Sequence, residues 1–204
     1  MTTLVMFSGG LDSTAMLVKL LAGSAEELRV HHIHMANREG RERAERRAVE
    51  AIVAYCRRHY RAFRYSESGL DFTALEAIPI DYLSIAFVAC QVAIDTPGCN
   101  RIAVGALAAD TDIANRSARQ KRVFDEMYAC YRARKLGEPQ VEWSYPVFHT
   151  PKADLAAGLP EELLKLTWSC RRPLEGFRPC GACKACRVRQ DLRSPVAAVE
   201  NRVP

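Results

Sequence analysis

The string Ser8-Gly9-Gly10-Leu11-Asp12-Ser13 stands directly after the short apolar run Leu4-Val5-Met6-Phe7, and no other stretch restricts the fold of this chain as much. An apolar run that ends at a glycine pair, continues into the helical pattern Thr14–Leu21 and stops at Gly23 reads as strand, tight loop and helix. Adjacent glycines let the backbone turn sharply and present consecutive N–H groups to a ligand at close range. The helix behind them adds its own unpaired N–H groups and the positive end of its dipole, so the junction favours an anion. Ser8 and Ser13 carry hydroxyls that can donate to phosphate oxygens. Asp12 would repel a bare phosphate; it suits a Mg²⁺ ion held beside the phosphates, or else Asp12 or Ser13 caps the helix. The Gly-Lys-Ser/Thr ending of a Walker A loop is absent, and so is Gly-x-Gly-x-x-Gly.

The rest of the chain repeats the strand–helix alternation. Arg29–Met35 reads as a second strand; within it His32 and His34 share one face and His31 takes the other, so the three are expected to pack or make simple hydrogen bonds. Arg38–Arg61 is a charged segment with Ala44, Ala48, Ala51, Ile52 and Tyr55 at amphipathic-helix spacing. Ala62–Tyr65 is the expected third strand, and Pro79 opens the apolar helix Ile80–Ile94 in its first turn. Arg101–Val104 is a fourth strand ending at Gly105, a basic helix follows around Ala118–Arg134, and Val141–Tyr145 is a fifth strand. Strands separated by helices of this length predict an α/β fold: a five-stranded parallel sheet with helices on both faces. The strand pattern ceases after Thr150, which divides the chain into a nucleotide domain, 1–150, and a C-terminal part, 151–204. There Pro151–Leu166 predicts two short helices broken at Gly158-Leu159-Pro160, and Trp168–Arg189 a small cysteine-rich module packed on the domain.

The net charge of +5, from 29 basic and 24 acidic residues, suits a small anionic substrate such as ATP, and solvated helix faces account for most of the arginines. No run approaches the ~18 apolar residues that cross a bilayer. The N-terminus lacks a basic n-region and a small-residue cleavage site, so the expectation is a cytoplasmic chain with no membrane partner. Of the eight cysteines, Cys56, Cys90, Cys99 and Cys130 lie in apolar runs and are expected to be buried side chains. Cys170, Cys180, Cys183 and Cys186 are bunched. Cys-x-x-Cys-x-x-Cys on a tight turn brings its sulfurs to one centre, and Cys170 completes a tetrahedron for a closed, structural Zn²⁺. An iron–sulfur cluster uses the same ligand type and is the alternative. Lys184, Arg187 and Arg189 would offset the charge of a zinc tetrathiolate.

Ser8-Gly9-Gly10-Leu11-Asp12-Ser13 resembles the pyrophosphate loop of the N-type ATP pyrophosphatases, which have an adenine-nucleotide α-hydrolase-like fold. These enzymes cleave ATP between its α- and β-phosphates and adenylate a carbonyl or carboxylate oxygen. The resemblance implies that Ser8–Ser13 hold the pyrophosphate, that adenine lies near Ile33, His34 and Met35, and that the α-phosphate lies near Gly105-Ala106. Thr167-Trp168-Ser169-Cys170 with Cys180-Gly181-x-Cys183-x-x-Cys186-x-x-Arg189 is similar to the C-terminus of the 7-cyano-7-deazaguanine synthases. Tyr145-Pro146 and Pro151-Lys152-Ala153-Asp154 resemble that family too, which implies that Lys152 binds phosphate; a solvated first-turn lysine is the bland alternative.

That second resemblance implies a homodimeric carbon–nitrogen ligase using ATP, Mg²⁺, structural Zn²⁺, free ammonia and 7-carboxy-7-deazaguanine, forming an amide and then a nitrile. Ser8, Asp12, Ser13 and Lys152 would be its catalytic residues, and nucleic acid is not expected as a partner. The chain departs from the family in two loops. His34-Met35-Ala36-Asn37-Arg38 replaces a Tyr-Gly-Gln stretch, and Asp110-Thr111-Asp112-Ile113-Ala114-Asn115-Arg116 follows Gly105-Ala106 where the family has Gly-Tyr-Pro-Asp-Cys-Arg. Asp110 and Asp112 fit a Mg²⁺ ion, a guanine-like edge or plain helix caps; Arg116, Arg119, Lys121 and Arg122 fit an anion clamp or an exposed basic helix. His149 is a candidate acid or base without supporting spacing. The rival function is tRNA sulfur transfer or base modification on the same loop with an iron–sulfur cluster.

Overall fold

The computed structural model describes residues 1–110, 113–132 and 140–192. The expected positions Thr111, Asp112 and Arg134 lie outside the described residues. Strands β1 (Thr2–Met6), β2 (Glu27–Ala36), β3 (Arg64–Asp71), β4 (Cys99–Val104) and β5 (Glu142–Ser144) form one sheet in the order β3-β2-β1-β4-β5. Every pairing is parallel. The helices are α1 (Leu11–Gly23), α2 (Glu42–His59), α3 (Asp81–Ile94), α4 (Ile113–Arg132), α5 (Lys152–Ala157), α6 (Glu161–Leu166) and α7 (Lys184–Asp191).

Strand β1 is buried along its whole length, which is why its second half reads with Phe7 as the continuous apolar run Leu4–Phe7 and not as an alternation. Val5 and the following Phe7 face one layer, with Met16 and Leu17 of α1, Val49 and Ile52 of α2, Leu155 and Leu163. Leu4 and Met6 face the other, with Ala86, Ala89 and Cys90 of α3 and Phe124 and Tyr128 of α4. Leu4, Leu17, Ile52, Leu163 and Phe124 are almost fully enclosed, and burying a side chain of this kind contributes about 1.5–3 kcal/mol. The layers make the sheet doubly wound. The chain leaves β1 toward β2 on one side and returns through β4 on the other, so a crevice opens between the carboxyl ends of β1 and β4.

Three expectations change. The third strand is Arg64–Asp71, not Ala62–Tyr65. It is one of the two edges of the sheet, β5 being the other, and is mostly polar, so its pairing to β2, from Arg29↔Arg64 to Ala36↔Asp71, defines it where no hydrophobic pattern does. Pro79 precedes α3, whose N-cap is Ile80. Cys56, Cys90 and Cys99 are buried, but Cys130 is exposed because it falls on the solvent side of α4. The two short helices α5 and α6 flank Gly158-Leu159-Pro160 as expected. Among the described residues no helix is long and apolar enough to cross a membrane.

Candidate active site

The loop after β1 depends on its two glycines unequally. Gly9 has φ +73°, and a Cβ there would lie 2.8 Å from Val49 Cγ2. Gly10 is extended (φ −78°, ψ 168°) and is the N-cap of α1, with no side-chain cap bond. Neither Asp12 nor Ser13 caps the helix from outside, since α1 begins at Leu11 and both sit in its first turn. Ser13 Oγ donates to Gly10 O (3.2 Å), accepts from the Ser8 N–H (3.3 Å) and lies 3.0 Å from Ser8 Oγ. The first helical bond runs from Thr14 N–H to Gly10 O at 3.0 Å. The N–H groups of Leu11, Asp12 and Ser13 therefore point out of the helix end toward the crevice. Gly105, just past β4, closes the other side: a Cβ there would lie 2.9 Å from both Cα and N of Ser13.

Lys152, the first residue of α5, reaches 3.2 Å from Asp12 Oδ2. Asp12 Oδ1 is buried without a hydrogen-bond partner. Burial pushes the Asp12 carboxyl above its ordinary range, the Lys152 ammonium pulls it down, and Asp110 pushes it up again. An acceptor-only oxygen left bare at the mouth of a phosphate loop fits a divalent cation.

Two adjoining cavities occupy the crevice. The smaller, about 330 Å³, is bounded by Ser8, Gly10–Ser13, Ile33, Met35, Gly105 and Lys152. The larger, about 930 Å³, shares Leu11, Gly105 and Lys152 with it and adds Ala106, Asp110, Arg116, Ser117 and Gln120. His34 lines neither cavity. Its ring turns to Glu67 at 3.0 Å and Glu42 at 3.5 Å, and lies edge-on to His32, which shares its face of the strand. His32 lines the smaller cavity instead. Its Nδ1 lies 2.8 Å from Phe7 O, and burial pulls its pKa down to about 4, so the ring is neutral and donates from Nδ1. Asp110 accepts from the Leu107 N–H (3.2 Å), as a turn cap does. Arg119, Lys121 and Arg122 are exposed; Lys121 pairs with Asp125. His149 is exposed and lies edge-on to Phe148.

A buried ion cluster on the smaller cavity has no counterpart in the sequence reading. Arg41 lies 2.7 Å from Asp81, 3.0 Å from Glu39 and 3.4 Å from Glu45. Arg171 joins it, 2.9 Å from Glu39 and 3.2 Å from Asp81. Helical periodicity places Arg41 in a solvated charged segment, yet it is 7% exposed, because partners from α2, α3 and the C-terminal part enclose it. A list of charges spread over 130 residues carries no signal of that meeting.

The four tail cysteines come together, with all four sulfurs within 4.8 Å of one another. Gly181 (φ +71°) makes the turn, and Cys183 is the N-cap of α7. The Cys180 N–H donates to Cys170 Sγ (3.3 Å) and the Cys183 N–H to Cys180 Sγ (3.4 Å). Those N–H groups of Cys183 and Ala182 hold the Cys180 thiol below its ordinary pKa, as a metal-binding thiolate requires. Arg189 does not face the sulfurs: it donates to Thr167 O (2.7 Å) and Leu164 O (2.9 Å), fixing α7 to the end of α6. The Trp168 N–H donates to Gly9 O (2.9 Å), and the Trp168 indole to Cys170 O (2.9 Å). One residue thus joins the cysteine module to the phosphate loop, and Lys184, Ala185 and Val188 of α7 become a wall of the larger cavity.

This layout is that of a known fold. The structure superposes on the U34-tRNA thiolase NcsA from Methanococcus maripaludis, solved with its 4Fe–4S cluster, with a TM-score of 0.50 and 18% identity over 97% of this chain and 67% of that one. The chain shares that protein's fold. The resemblance read from the two motifs also finds sequence support in a 7-cyano-7-deazaguanine synthase from Erythrobacter litoralis, 45% identical over 47 residues. That stretch is 22% of this chain and 20% of the relative. No family model matches the chain.

Proposed function

We propose that this chain is an ATP-dependent carbon–nitrogen ligase that adenylates 7-carboxy-7-deazaguanine and joins it to ammonia, giving the amide and then 7-cyano-7-deazaguanine. The observation that carries the reading is the Trp168–Gly9 hydrogen bond, which sets a four-cysteine module against the phosphate loop over one divided cavity. The local likeness to a 7-cyano-7-deazaguanine synthase supports the same acceptor. In this proposal residues 1–150 bind ATP and residues 151–204 complete the acceptor cavity. The N–H groups of Gly10–Ser13 and the Ser8 and Ser13 hydroxyls hold the pyrophosphate, while Ile33, Met35 and His32 border the adenine. Gly105-Ala106 lie beside the α-phosphate. Asp12 holds Mg²⁺, and Lys152 neutralises charge on the phosphates as the α–β bond breaks. The product would leave AMP and pyrophosphate behind.

For the cysteines we propose Zn²⁺. One ion about 2.3 Å from every sulfur draws them to roughly 4 Å apart, and Cys180 and Cys186 stand at 4.0 Å. Four thiolates on a cubane each bind a different iron and sit farther apart. A sulfur-transferring enzyme acting on tRNA is the competing reading, prompted by the thiolase with the same fold. One experiment separates them. Mass spectrometry after incubation with ATP, Mg²⁺, ammonia and 7-carboxy-7-deazaguanine should show AMP together with amide or nitrile. A folded, zinc-loaded sample that forms no acceptor-dependent AMP would sink the ligase.

A further inference from the structure

The ion cluster on the smaller cavity does not balance. Glu39, Glu45 and Asp81 bring three carboxylates, while Arg41 and Arg171 bring two guanidiniums. Arg41 forms ion pairs with all three acids and donates a hydrogen bond from Nη2 to Asp81 Oδ2, and Arg171 pairs with Glu39 and Asp81. Among the described residues the Glu45 carboxylate has one ion pair, to Arg41 at 3.4 Å, the longest of the set. It also lines the smaller cavity, as Ser8 and Gly10–Ser13 do. Removed from water, a surplus negative charge of this kind must be met by a proton or a small cation.

The proposed reaction brings such a cation. Ammonia exists at neutral pH almost wholly as ammonium, which has no lone pair for attack, so a ligase using the free compound must take a proton from it inside the site. We propose that Glu45 receives ammonium in the smaller cavity and takes its proton before nitrogen attacks the activated acceptor; this rests on the ligase reading above. An N–H bond of ammonium breaks, its electron pair stays on nitrogen, and the proton passes to a Glu45 carboxylate oxygen. Nitrogen then bonds to the acyl carbon as the carbon–oxygen bond to AMP breaks and AMP leaves with that pair. A second proton is lost from nitrogen to solvent, which leaves the amide.

The surroundings of Glu45 fit a base working near neutrality. Burial pushes its carboxyl up to about 7; Arg41 and Arg171 pull it down, and Asp81 and Glu39 push it up. Those four are the charged groups facing it, from its own helix end, from the C-terminal part, from α3 and from the turn before α2. A base is most effective when its pKa is close to the working pH.

The test compares nucleophiles in Glu45→Gln. Hydroxylamine is already uncharged at neutral pH and needs no base, whereas ammonium does. Three rates are measured: acceptor-dependent exchange of pyrophosphate into ATP, product formation with ammonium chloride, and product formation with hydroxylamine. The expected result is a fall of about 10²-fold or more in ammonium-dependent kcat/KM, the range of general-base catalysis, far beyond any fall in exchange or in the hydroxylamine reaction. Raising the pH should recover part of the ammonium rate, and Glu45→Asp should fall between wild type and Gln. Equal losses with both nucleophiles, or no selective loss with ammonium, overturn the assignment. Wild-type protein without exchange overturns the ligase reading itself, and this inference with it.

Discussion

The phosphate loop and the cysteine module lie one hydrogen bond apart but are built in opposite ways. The loop is a product of the fold: a fully buried strand, a left-handed glycine and a helix end hold it, and its own serines bind each other at 3.0 Å. The cysteine module is mostly coil, with a 3-10 turn at Glu175–Phe177 and the eight-residue helix α7, and its residues are largely exposed. Too little apolar surface is buried there to offset the entropy of ordering the chain. The folded domain orders the loop, whereas the module buries little apolar surface and offers instead four convergent sulfurs suited to one metal ion.

Removing the metal should break this symmetry most visibly. Structural zinc in small peptides supplies on the order of 10–16 kcal/mol, so Cys183→Ser or chelation should abolish metal binding and expose 168–192 to hydrogen exchange. The sheet should stay protected. Protection of the tail without metal would show that packing, not ligation, holds it. Next is Lys152→Ala, expected to lower kcat/KM by about 10²–10³-fold, the range for losing one charge-stabilising donor, with the melting temperature nearly unchanged. A loss confined to stability would reduce Lys152 to a partner of Asp12.

Gly9→Ala tests the other half of the comparison. Its positive φ and the 2.8 Å approach to Val49 should cost about 1–3 kcal/mol, read as a lower denaturant midpoint. Gly10→Ala, in extended backbone, should cost much less. The smallest effect concerns pH. The Glu45 carboxyl is raised from 4.5 to about 7 in the folded protein, so folding disfavours its charged form. Stability is therefore unaffected by this group below its unfolded pKa and declines as pH rises toward 7. The decline, on the order of 1–3 kcal/mol, should be absent from Glu45→Gln in denaturation curves across that window.

The loop, both core helices beside it and the four-cysteine set were legible because each is encoded locally. A strand core buried on both faces favours an apolar run such as Leu4–Phe7, a left-handed turn pressed against a helix favours glycine, and four cysteines bunched on two short segments suit a metal. The edge strand was misplaced because Arg64–Asp71 has half its surface in water and needs no pattern; its partner β2 defines it. His34 was placed beside the nucleotide from strand position alone, but its ring is engaged by Glu67 and Glu42, and His32, on the same face, lines the cavity.

By itself, then, the sequence determined a parallel α/β sheet, the glycine turn into a helix after its first strand and a tail of four convergent cysteines, since these rest on neighbours in the chain. Only the tertiary structure decided that Trp168 docks on Gly9, that Lys152 meets Asp12, and that Arg41 is buried among Glu39, Glu45 and Asp81. Of these, Arg41–Asp81, Asp12–Lys152 and Gly9–Trp168 join residues 40, 140 and 159 positions apart, and the long-range partners are what enclose Arg41. A charge reads the same in sequence whether water or a carboxylate will surround it; the enclosure that separates the two cases exists only once the layers have closed.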